Sequence, residues 1–352
     1  MSVALKLEKR LRLIVIGTAV VLALSVNWAL GIYNGAIRLT AIDYDVFWNA
    51  ARSTDVYAAS LHPFPYPPTA LPLTSLLGAV AYWPGFVIFT AISIGAFIYA
   101  SMKHFCTKAV MISLISPAVF SCIQLGQTSM LLSAGLLFGF SGGPVSTGIA
   151  LGVVASIKPQ LMFLAPFALI ARRDWQALSS AAAAFTLAVS FSLLIYGTAA
   201  WFDWIGLMPS FREALVTQNI LDRAVSIAAF SSSYGYSFAL FFVSALVLAA
   251  ALLVWLAPQH EGGQLACLII GFSVVAAPYS LLHDTVALVP LAASILMAKG
   301  FRLSTVPAFL LFALGAAIPA AVVTSYLLVR DKLGVGRSSH HPRGWASADP
   351  NS

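Results

Sequence analysis

Apolar residues fill most of the chain in continuous runs that short polar turns separate. The first run, residues 13–30, follows four basic residues and is about 18 residues long, enough to span a bilayer as a helix. Similar runs cover residues 83–102, 175–196 and 236–257. The other apolar runs are 109–123, 128–141, 144–157, 159–171, 264–281, 284–298 and 303–328. Continuous runs predict membrane-spanning helices, because the strands of a membrane barrel would alternate apolar and polar residues.

Several of these runs are shorter than the roughly 20 residues that a spanning helix needs. Those between residues 109 and 171 predict tilted, broken or partly re-entrant helices. The segment 69–81 follows Pro67-Pro68 and contains Pro72, which predicts an interfacial or re-entrant piece. We therefore predict an all-α polytopic membrane protein with about ten to twelve transmembrane helices. They form a single domain over residues 1–330, followed by a flexible tail, 331–352, rich in Ser, Gly, Pro and His.

The composition agrees with a membrane protein. Hydrophobic residues make up 60% of the chain and charged residues 9%, and the mean hydropathy is +0.91. Soluble domains carry about 25% charged residues. The net charge of +7 is attributed to membrane topology rather than to nucleic-acid binding. The three cysteines lie in or beside apolar runs without ligand spacing, so neither a disulfide framework nor a metal cluster is expected.

The distribution of basic residues predicts the orientation. A cytoplasmic N-terminus places six basic residues in short cytoplasmic connections: Lys103, Lys108, Arg172, Arg173, Lys299 and Arg302. Most acidic residues then lie on the other side of a bacterial plasma membrane. The basic residues after position 328 fit this scheme only if the run 303–328 crosses twice, which leaves the side of the C-terminus open.

The first extracytoplasmic loop, residues 31–82, contains an acidic and aromatic cluster. Asp43, Asp45 and Asp55 are three of only 12 acidic residues and fall within thirteen positions. Ionisable groups near a bilayer are costly and tend to be retained for function. Asp43 is a candidate general base for a sugar hydroxyl. Asp45 is a second candidate, and it also suits a helix N-cap. The pair resembles a metal-binding D-x-D and is able to bind a divalent ion, but no third ligand is evident. No cofactor is expected, and metal dependence is left open.

Three further candidate site residues lie in predicted outer turns and have side chains that can bind a lipid phosphate. Gln127 follows Gly126, Lys158 precedes Pro159, and His283 precedes Asp284. Lys158 breaks the positive-inside pattern, and an ammonium at a helix start calls for an anion nearby, for which a lipid phosphate is the obvious candidate. A snorkelling lysine is the alternative. His283 and Asp284, as neighbours on a helix, are expected to point apart.

Candidate substrate-binding residues are Tyr66, His62, Arg52 and Asn219. The prolines around Tyr66 enforce an extended backbone that presents Tyr66 and His62 toward a ligand at the interface, although they also suit a simple loop stiffener. Asn219 belongs to the polar segment 197–232, predicted to be an interfacial helix followed by a loop. Its polar groups are able to bind sugar hydroxyls. Alternatively, they form the solvent-exposed face of an amphipathic helix.

Several of these motifs, in their order along the chain, resemble glycosyltransferase family 87, which includes polyprenyl-phosphate-mannose-dependent mannosyltransferases. The matching pieces are Ile42–Arg52, Val56-Tyr57, Phe64–Pro68, Leu125–Gln127, Ala155–Pro159 and Ala277–His283. The resemblance implies a GT-C architecture with catalysis at the extracytoplasmic face. It also implies a polyprenyl-phosphate sugar donor and inversion at the anomeric carbon, with Asp43 at the position of the family's catalytic aspartate. Asp45 is a departure that offers a second base.

These expectations describe a glycosyltransferase that moves a sugar, most simply mannose, to a lipid or glycan acceptor. Its partners are the lipid-linked donor, the acceptor and membrane lipids, without nucleic acid. A transporter or flippase of a lipid-linked or anionic substrate is the alternative, since short broken spans and a buried lysine suit it too. A non-catalytic membrane subunit is a third possibility.

Overall fold

The computed structural model describes residues 40–57, 63–218, 220–221 and 224–299. Within these ranges all regular structure is helical, with 13 α-helices, four short 3-10 segments and no strand. The predicted all-α class is therefore confirmed. The apolar runs 13–30 and 303–328, the tail 331–352, His62 and Asn219 lie outside the described residues.

The helices follow the apolar runs closely, and several begin at a proline or end at a glycine. The α-helices are α1 Ile42–Ala50, α2 Leu71–Gly78, α3 Tyr82–Ser101, α4 Thr107–Ser113, α5 Pro117–Leu125, α6 Ser129–Gly139, α7 Pro144–Ile157, α8 Ala165–Arg172, α9 Trp175–Thr217, α10 Ile227–Ser233, α11 Phe238–Leu256, α12 Gly262–Ala276 and α13 Val289–Lys299. The 3-10 segments are Pro68–Ala70, Pro159–Leu161, Ala257–Gln259 and Leu282–Leu288.

Three helical stretches in the described ranges are long and apolar enough to cross a membrane: Tyr82–Ser101, Trp175–Thr217 and Phe238–Gln259. Helices α4 and α5 are bent by 59° at a short break and together form a fourth candidate span, or a re-entrant loop. Helices α6, α7 and α12 are shorter. Short and broken apolar helices are thus present where the sequence predicts them, and the total of ten to twelve spans stays a prediction.

Helix α9 consists of two helical halves, and the break between them lies where the sequence predicts the end of the apolar run and the start of an interfacial helix. Gly197 has a non-helical backbone (φ 73°) that interrupts the helix, and the second half continues to Thr217. The Trp201 indole donates to the Ser192 hydroxyl at 3.1 Å and ties the two halves together. Each half is about 30 Å long, which is comparable to the hydrocarbon thickness of a bilayer.

The core is built around α12, which is buried along almost its whole length. Helix α7 packs tightly on α9 because Gly148 and Gly152 lie one turn apart on the contact face. A Cβ at either glycine would lie within 2.4 Å of a carbonyl oxygen of α9, at Ala177 or Ala181. Small residues at this spacing are the usual means of bringing membrane helices into backbone contact. The end of α7, and Lys158 with it, is thereby held in place.

Helix α1 is fixed to α5 and α3 by hydrogen bonds at Ala41, the residue that precedes it. Ala41 has a left-handed backbone (φ 65°), and its N–H donates to the Gln124 carbonyl at 2.7 Å. The Tyr82 hydroxyl donates to the Ala41 carbonyl at 3.2 Å. Gly126 closes α5 with φ 72°, and a Cβ there would lie 2.6 Å from that of Tyr44. This close approach places the first turn of α1 beside Gln127.

Candidate active site

Four segments that are distant in sequence meet at one cluster of polar side chains. The first turn of α1 brings Asp43, the turn between α5 and α6 brings Gln127, and the end of α7 brings Lys158. The 3-10 segment Leu282–Leu288 brings His283 and Asp284. We call these five residues the polar cluster. The first four are sequence-predicted site residues, and the structure brings them together.

Lys158 is the centre of the polar cluster and is only 3% exposed. Its ammonium donates to Ser129 Oγ at 2.7 Å, to Asp284 Oδ1 at 3.0 Å and to Gln127 Oε1 at 3.2 Å. The predicted need for an anion beside this lysine is met by Asp284, a residue of the protein itself. The snorkelling alternative is wrong, because the ammonium is directed into the protein.

Asp284 is the residue of the polar cluster that was not predicted from the sequence to belong to the site. Its Oδ1 accepts from Lys158 and from Ser129 Oγ (2.7 Å), and its Oδ2 accepts from the backbone N–H of Leu281 at 3.1 Å. A carboxylate within an apolar outer turn was the available signal, since such groups are expensive near lipid. His283 Nε2 lies 3.8 Å from Asp284 Oδ1. The expectation that the two neighbours point apart is therefore wrong, since the ends of their side chains lie close together.

Asp43 is half-buried, between the interior and the outer surface of the cluster. Burial raises the pKa of its carboxyl above the usual value, and three groups oppose this: His283, a hydrogen bond from the Gln127 side chain, and Lys158. The negative charge of Asp284 also raises the pKa of Asp43. A carboxylate with a raised pKa that still meets cationic groups is suited to accept a proton near neutral pH.

Two tyrosines line the cluster. Tyr66 packs its ring on Phe47 with centroids 4.6 Å apart, and the Lys158 ammonium lies 5.7 Å from the Tyr66 ring. Tyr279 makes an edge contact with Phe211 of α9 at 6.0 Å and lies within electrostatic range of Asp43 and Asp284. Tyr66 thus lies beside the cluster, where its role in substrate binding stays a prediction, and Tyr279 is an additional residue there.

Asp45 and Arg52 point away from the cluster, on another side of α1. Asp45 accepts a hydrogen bond from Asn49 at 2.8 Å, and Arg52 stacks over Trp48 at 3.5 Å. The helix begins at Ile42, so Asp45 lies inside it and does not cap it, contrary to the N-cap expectation. Residues two apart on a helix are separated by about 200° around its axis, so the two carboxylates of α1 do not converge on one ion.

No group of three or more His, Cys, Asp or Glu side chains with metal-binding geometry occurs among the described residues. The arrangement offers instead one half-buried carboxylate, one buried lysine paired with a second carboxylate, and a histidine beside both. Such a set is able to deprotonate a hydroxyl and to stabilise an anion within a few ångströms.

The comparisons with known proteins identify the family. Glycosyltransferase family 87 matches residues 64–282, which is more than half of the chain. The matched region contains Tyr66, Gln127 and Lys158, begins after Asp43 and ends one residue before His283. The comparisons with curated proteins and with solved structures found no match. On the family match, this chain belongs to glycosyltransferase family 87.

Proposed function

We propose that this glycosyltransferase moves a sugar, most simply mannose, from a polyprenyl-phosphate donor to a hydroxyl of a lipid or glycan acceptor. The reaction inverts the anomeric carbon and takes place at the extracytoplasmic face of the bacterial plasma membrane. The observation that carries the proposal is the meeting of Asp43 with His283 and Lys158. A candidate base, a lysine cation and a histidine then lie at one site, a set that suits transfer from a phosphate leaving group.

The chemistry follows from the roles of these groups. Asp43 removes the proton from the acceptor hydroxyl, and the acceptor oxygen attacks the anomeric carbon. The bond between that carbon and the phosphate oxygen breaks, and the phosphate leaves with the bonding electrons. Negative charge grows on the phosphate in the transition state, where the positive field of Lys158 stabilises it. Burial lowers the pKa of His283, so this side chain contributes a hydrogen bond from its neutral imidazole. The proton remains on Asp43 until it is released to solvent.

The arrangement of carboxylates favours inversion. A retaining double displacement needs a second carboxylate as nucleophile on the other face of the sugar. Asp284 is 3% exposed and accepts hydrogen bonds from Lys158, Ser129 and Leu281, so its oxygens are already engaged. Asp45 lies on another side of α1 and pairs with Asn49. Asp43 is the remaining carboxylate of the cluster, and it is half-buried. One such carboxylate suits a single displacement, which inverts the anomeric carbon.

Family membership favours a transferase over the transporter alternative. The placement of the cluster also favours a transferase, because a flippase should carry functional charges at the membrane midplane or on both faces. Helix α1, which brings Asp43, packs against the Tyr82 end of α3 through Tyr44 and Tyr82. The charges of the cluster therefore lie toward one end of that helix.

The test is transfer of labelled sugar from undecaprenyl- or decaprenyl-phosphate mannose in membranes that contain the wild-type protein, Asp43→Asn or Asp45→Asn. Asp43→Asn is expected to lower transfer by about 10²–10⁴-fold, the usual contribution of a general base. Asp45→Asn is the matched control and should retain most of the activity. Each reaction is run with and without EDTA, and activity in EDTA is expected.

Full transfer by Asp43→Asn would overturn the role of the base. Absence of transfer by the wild type from mannose, arabinose and glucose donors on the same lipid would overturn the donor class. Loss of activity in EDTA that Mg²⁺ or Mn²⁺ restores would contradict the metal-free mechanism.

A further inference from the structure

The proline-rich segment before α2 lacks most of its own backbone donors. Pro63, Pro65, Pro67 and Pro68 have no N–H group, so the segment cannot build a regular hydrogen-bond pattern of its own. Residues that precede a proline favour an extended backbone, and Pro67 is extended, with φ −64° and ψ 161°. The carbonyl groups of the segment are therefore available to donors from other parts of the chain.

Two side chains hold the peptide groups on either side of Tyr66. The Trp204 indole N–H donates to the Pro65 carbonyl at 3.0 Å, and the Tyr57 hydroxyl donates to the Tyr66 carbonyl at 3.1 Å. The first carbonyl belongs to the peptide plane before the Cα atom of Tyr66, and the second belongs to the plane after it. With both planes held, the backbone angles of Tyr66 are fixed, and so is the direction of its Cα–Cβ bond.

The Tyr66 ring lies between two segments that carry site residues. It packs on Phe47 of α1, with ring centroids 4.6 Å apart. Phe47 lies one turn after Asp43, and residues four apart share a face of a helix. The Tyr66 ring centroid is also 5.7 Å from the Lys158 ammonium, within the range of cation–π attraction. The ring therefore acts as a spacer between α1 and the end of α7.

Trp204 links the second half of α9 to this arrangement. It lies 139 residues after Pro65 in the sequence. Leu207, on the same half of the helix, belongs to one hydrophobic cluster with Phe47 and Tyr66. A helix that contributes no member of the polar cluster thus contacts the segment that holds the spacer.

We propose that Trp204 is a positioning residue for the transfer reaction. Its indole N–H holds the Pro65 carbonyl and thereby keeps the Tyr66 ring in place. The ring, in turn, sets the distance from Asp43 on α1 to the Lys158 ammonium. This inference rests on the proposed function, in which Asp43 is the base and Lys158 stabilises the leaving phosphate.

Trp201 makes a hydrogen bond of the same kind elsewhere. Its indole N–H donates to the Ser192 hydroxyl at 3.1 Å, so this bond joins two parts of α9. Both tryptophans are half-buried, and phenylalanine at either position removes one N–H donor and keeps an aromatic ring. Trp201→Phe is therefore the matched control for Trp204→Phe.

The experiment measures kcat and KM for the lipid-phosphate donor, together with thermal unfolding, in wild type, Trp204→Phe, Tyr57→Phe and Trp201→Phe. Trp204→Phe should lower kcat by about 10- to 100-fold, since a misplacement of about 1 Å costs up to about 100-fold. The KM for the donor should stay nearly unchanged, because the spacing acts in the transition state. Tyr57→Phe, which frees the Tyr66 carbonyl, should act in the same direction. Trp201→Phe should keep the wild-type kcat.

A double-variant cycle identifies the route through the ring. Tyr66→Leu removes the spacer and should lower kcat by itself. In that background Trp204→Phe should cost less than about twofold further, because no ring remains to be held. Independent effects of the two changes, or a wild-type kcat in Trp204→Phe, would overturn the proposal. Failure of the proposed function shows differently, as full transfer by Asp43→Asn, and is judged without these variants.

Fluorine NMR of protein labelled with 3-fluorotyrosine, recorded in detergent, follows the Tyr66 ring without turnover. The Tyr66 signal is assigned by its absence in Tyr66→Phe. Trp204→Phe should shift or broaden this signal, and Trp201→Phe should leave it in place. An unchanged Tyr66 signal in Trp204→Phe would overturn the proposal even if a variant were inactive for another reason.

Discussion

At the scale of single residues, the site depends on an ion pair that is nearly removed from water. Lys158 and Asp284 lie 3.0 Å apart, with side chains 4% and 3% exposed. Moving two charges from water into the protein interior costs free energy. The pair is nevertheless kept, because a single buried charge without its partner would cost more free energy. Ser129 and the Leu281 N–H supply further hydrogen bonds to the same carboxylate. The pair therefore fixes the ends of two segments relative to each other.

Replacing one partner of this pair is expected to destabilise the protein strongly. Lys158→Met and Asp284→Leu should each lower the free energy of unfolding by about 3–5 kcal/mol, because the remaining charge is left buried. The double variant should lose less than the sum of the two. Equilibrium unfolding in detergent measures all three.

Glu261→Gln is the matched control for that experiment. Glu261 is 88% exposed and lies 3.9 Å from Arg172, so its loss should cost about 1 kcal/mol or less. Strictly additive costs for Lys158→Met and Asp284→Leu would show that the two charges do not stabilise each other.

Half of this pair is predictable from the sequence. Lys158 stands out because it lies beside a proline and because the predicted orientation places it on the side that the positive-inside rule disfavours. Its partner is 126 residues away, and no local pattern links the two. Likewise the first loop points to Asp43, but the separation of Asp43 from Asp45 depends on the start of α1 at Ile42. Pairings across the chain depend on packing, which periodicity does not encode.

At the scale of elements, helix limits are predictable where proline or glycine sets them. The apolar pattern predicts one run over residues 144–157, and α7 has the same limits, because Pro144 begins it and Pro159 follows it. At Gly197 the helix is interrupted where the predicted apolar run ends, and a second helix follows to Thr217. A glycine marks where the backbone departs from helical geometry, and the residues after it decide whether the helix continues.

Gly126 is expected to control the position of α1. Gly126→Ala places a side chain at φ 72° and 2.6 Å from Tyr44 Cβ, so it should displace the first turn of α1. The left-handed conformation costs about 1–2 kcal/mol. A displacement of about 1 Å at Asp43 should lower kcat by about 100-fold. Transfer assays and unfolding in detergent check both effects.

Gly235→Ala is the control variant for Gly126→Ala, because it introduces backbone strain without displacing a neighbouring helix. Gly235 has φ 80°, and a Cβ added there would meet no atom within 4 Å, so alanine suffers the strain without a clash. The variant should lose a similar amount of stability and keep its activity. Equal activity of Gly126→Ala and Gly235→Ala would contradict the role assigned to the contact with Tyr44.

At the scale of the whole molecule, α3 separates the cluster from the opposite end of the bundle. Its first residue, Tyr82, contacts α1, and its 20 residues extend about 30 Å to Ser101. Cys106 lies just beyond and is exposed, whereas Cys122 and Cys267 are buried. The chain therefore carries a natural reporter at the end that the basic residues predict to be cytoplasmic.

Labelling of spheroplasts with a membrane-impermeant maleimide tests this orientation. Thr54 is exposed in the loop after α1, and Thr54→Cys in a Cys106→Ser background should label in intact spheroplasts. Cys106 of the wild type should label only after permeabilisation. The Cys106→Ser protein alone is the control for background. Reversal of the two results would place the site in the cytoplasm.

The separation of Lys158 from Asp284 has a consequence for biogenesis. A chain still being synthesised reaches Lys158 well before Asp284, which follows 126 residues later. During that interval α7 holds an ammonium without its final counter-ion, and the insertion machinery must keep it near water. Maturation of the site is therefore a late event, completed when the Leu282–Leu288 segment folds over the bundle. A ribosome-bound nascent chain that ends before this segment carries the base and the lysine, but not the environment that joins them.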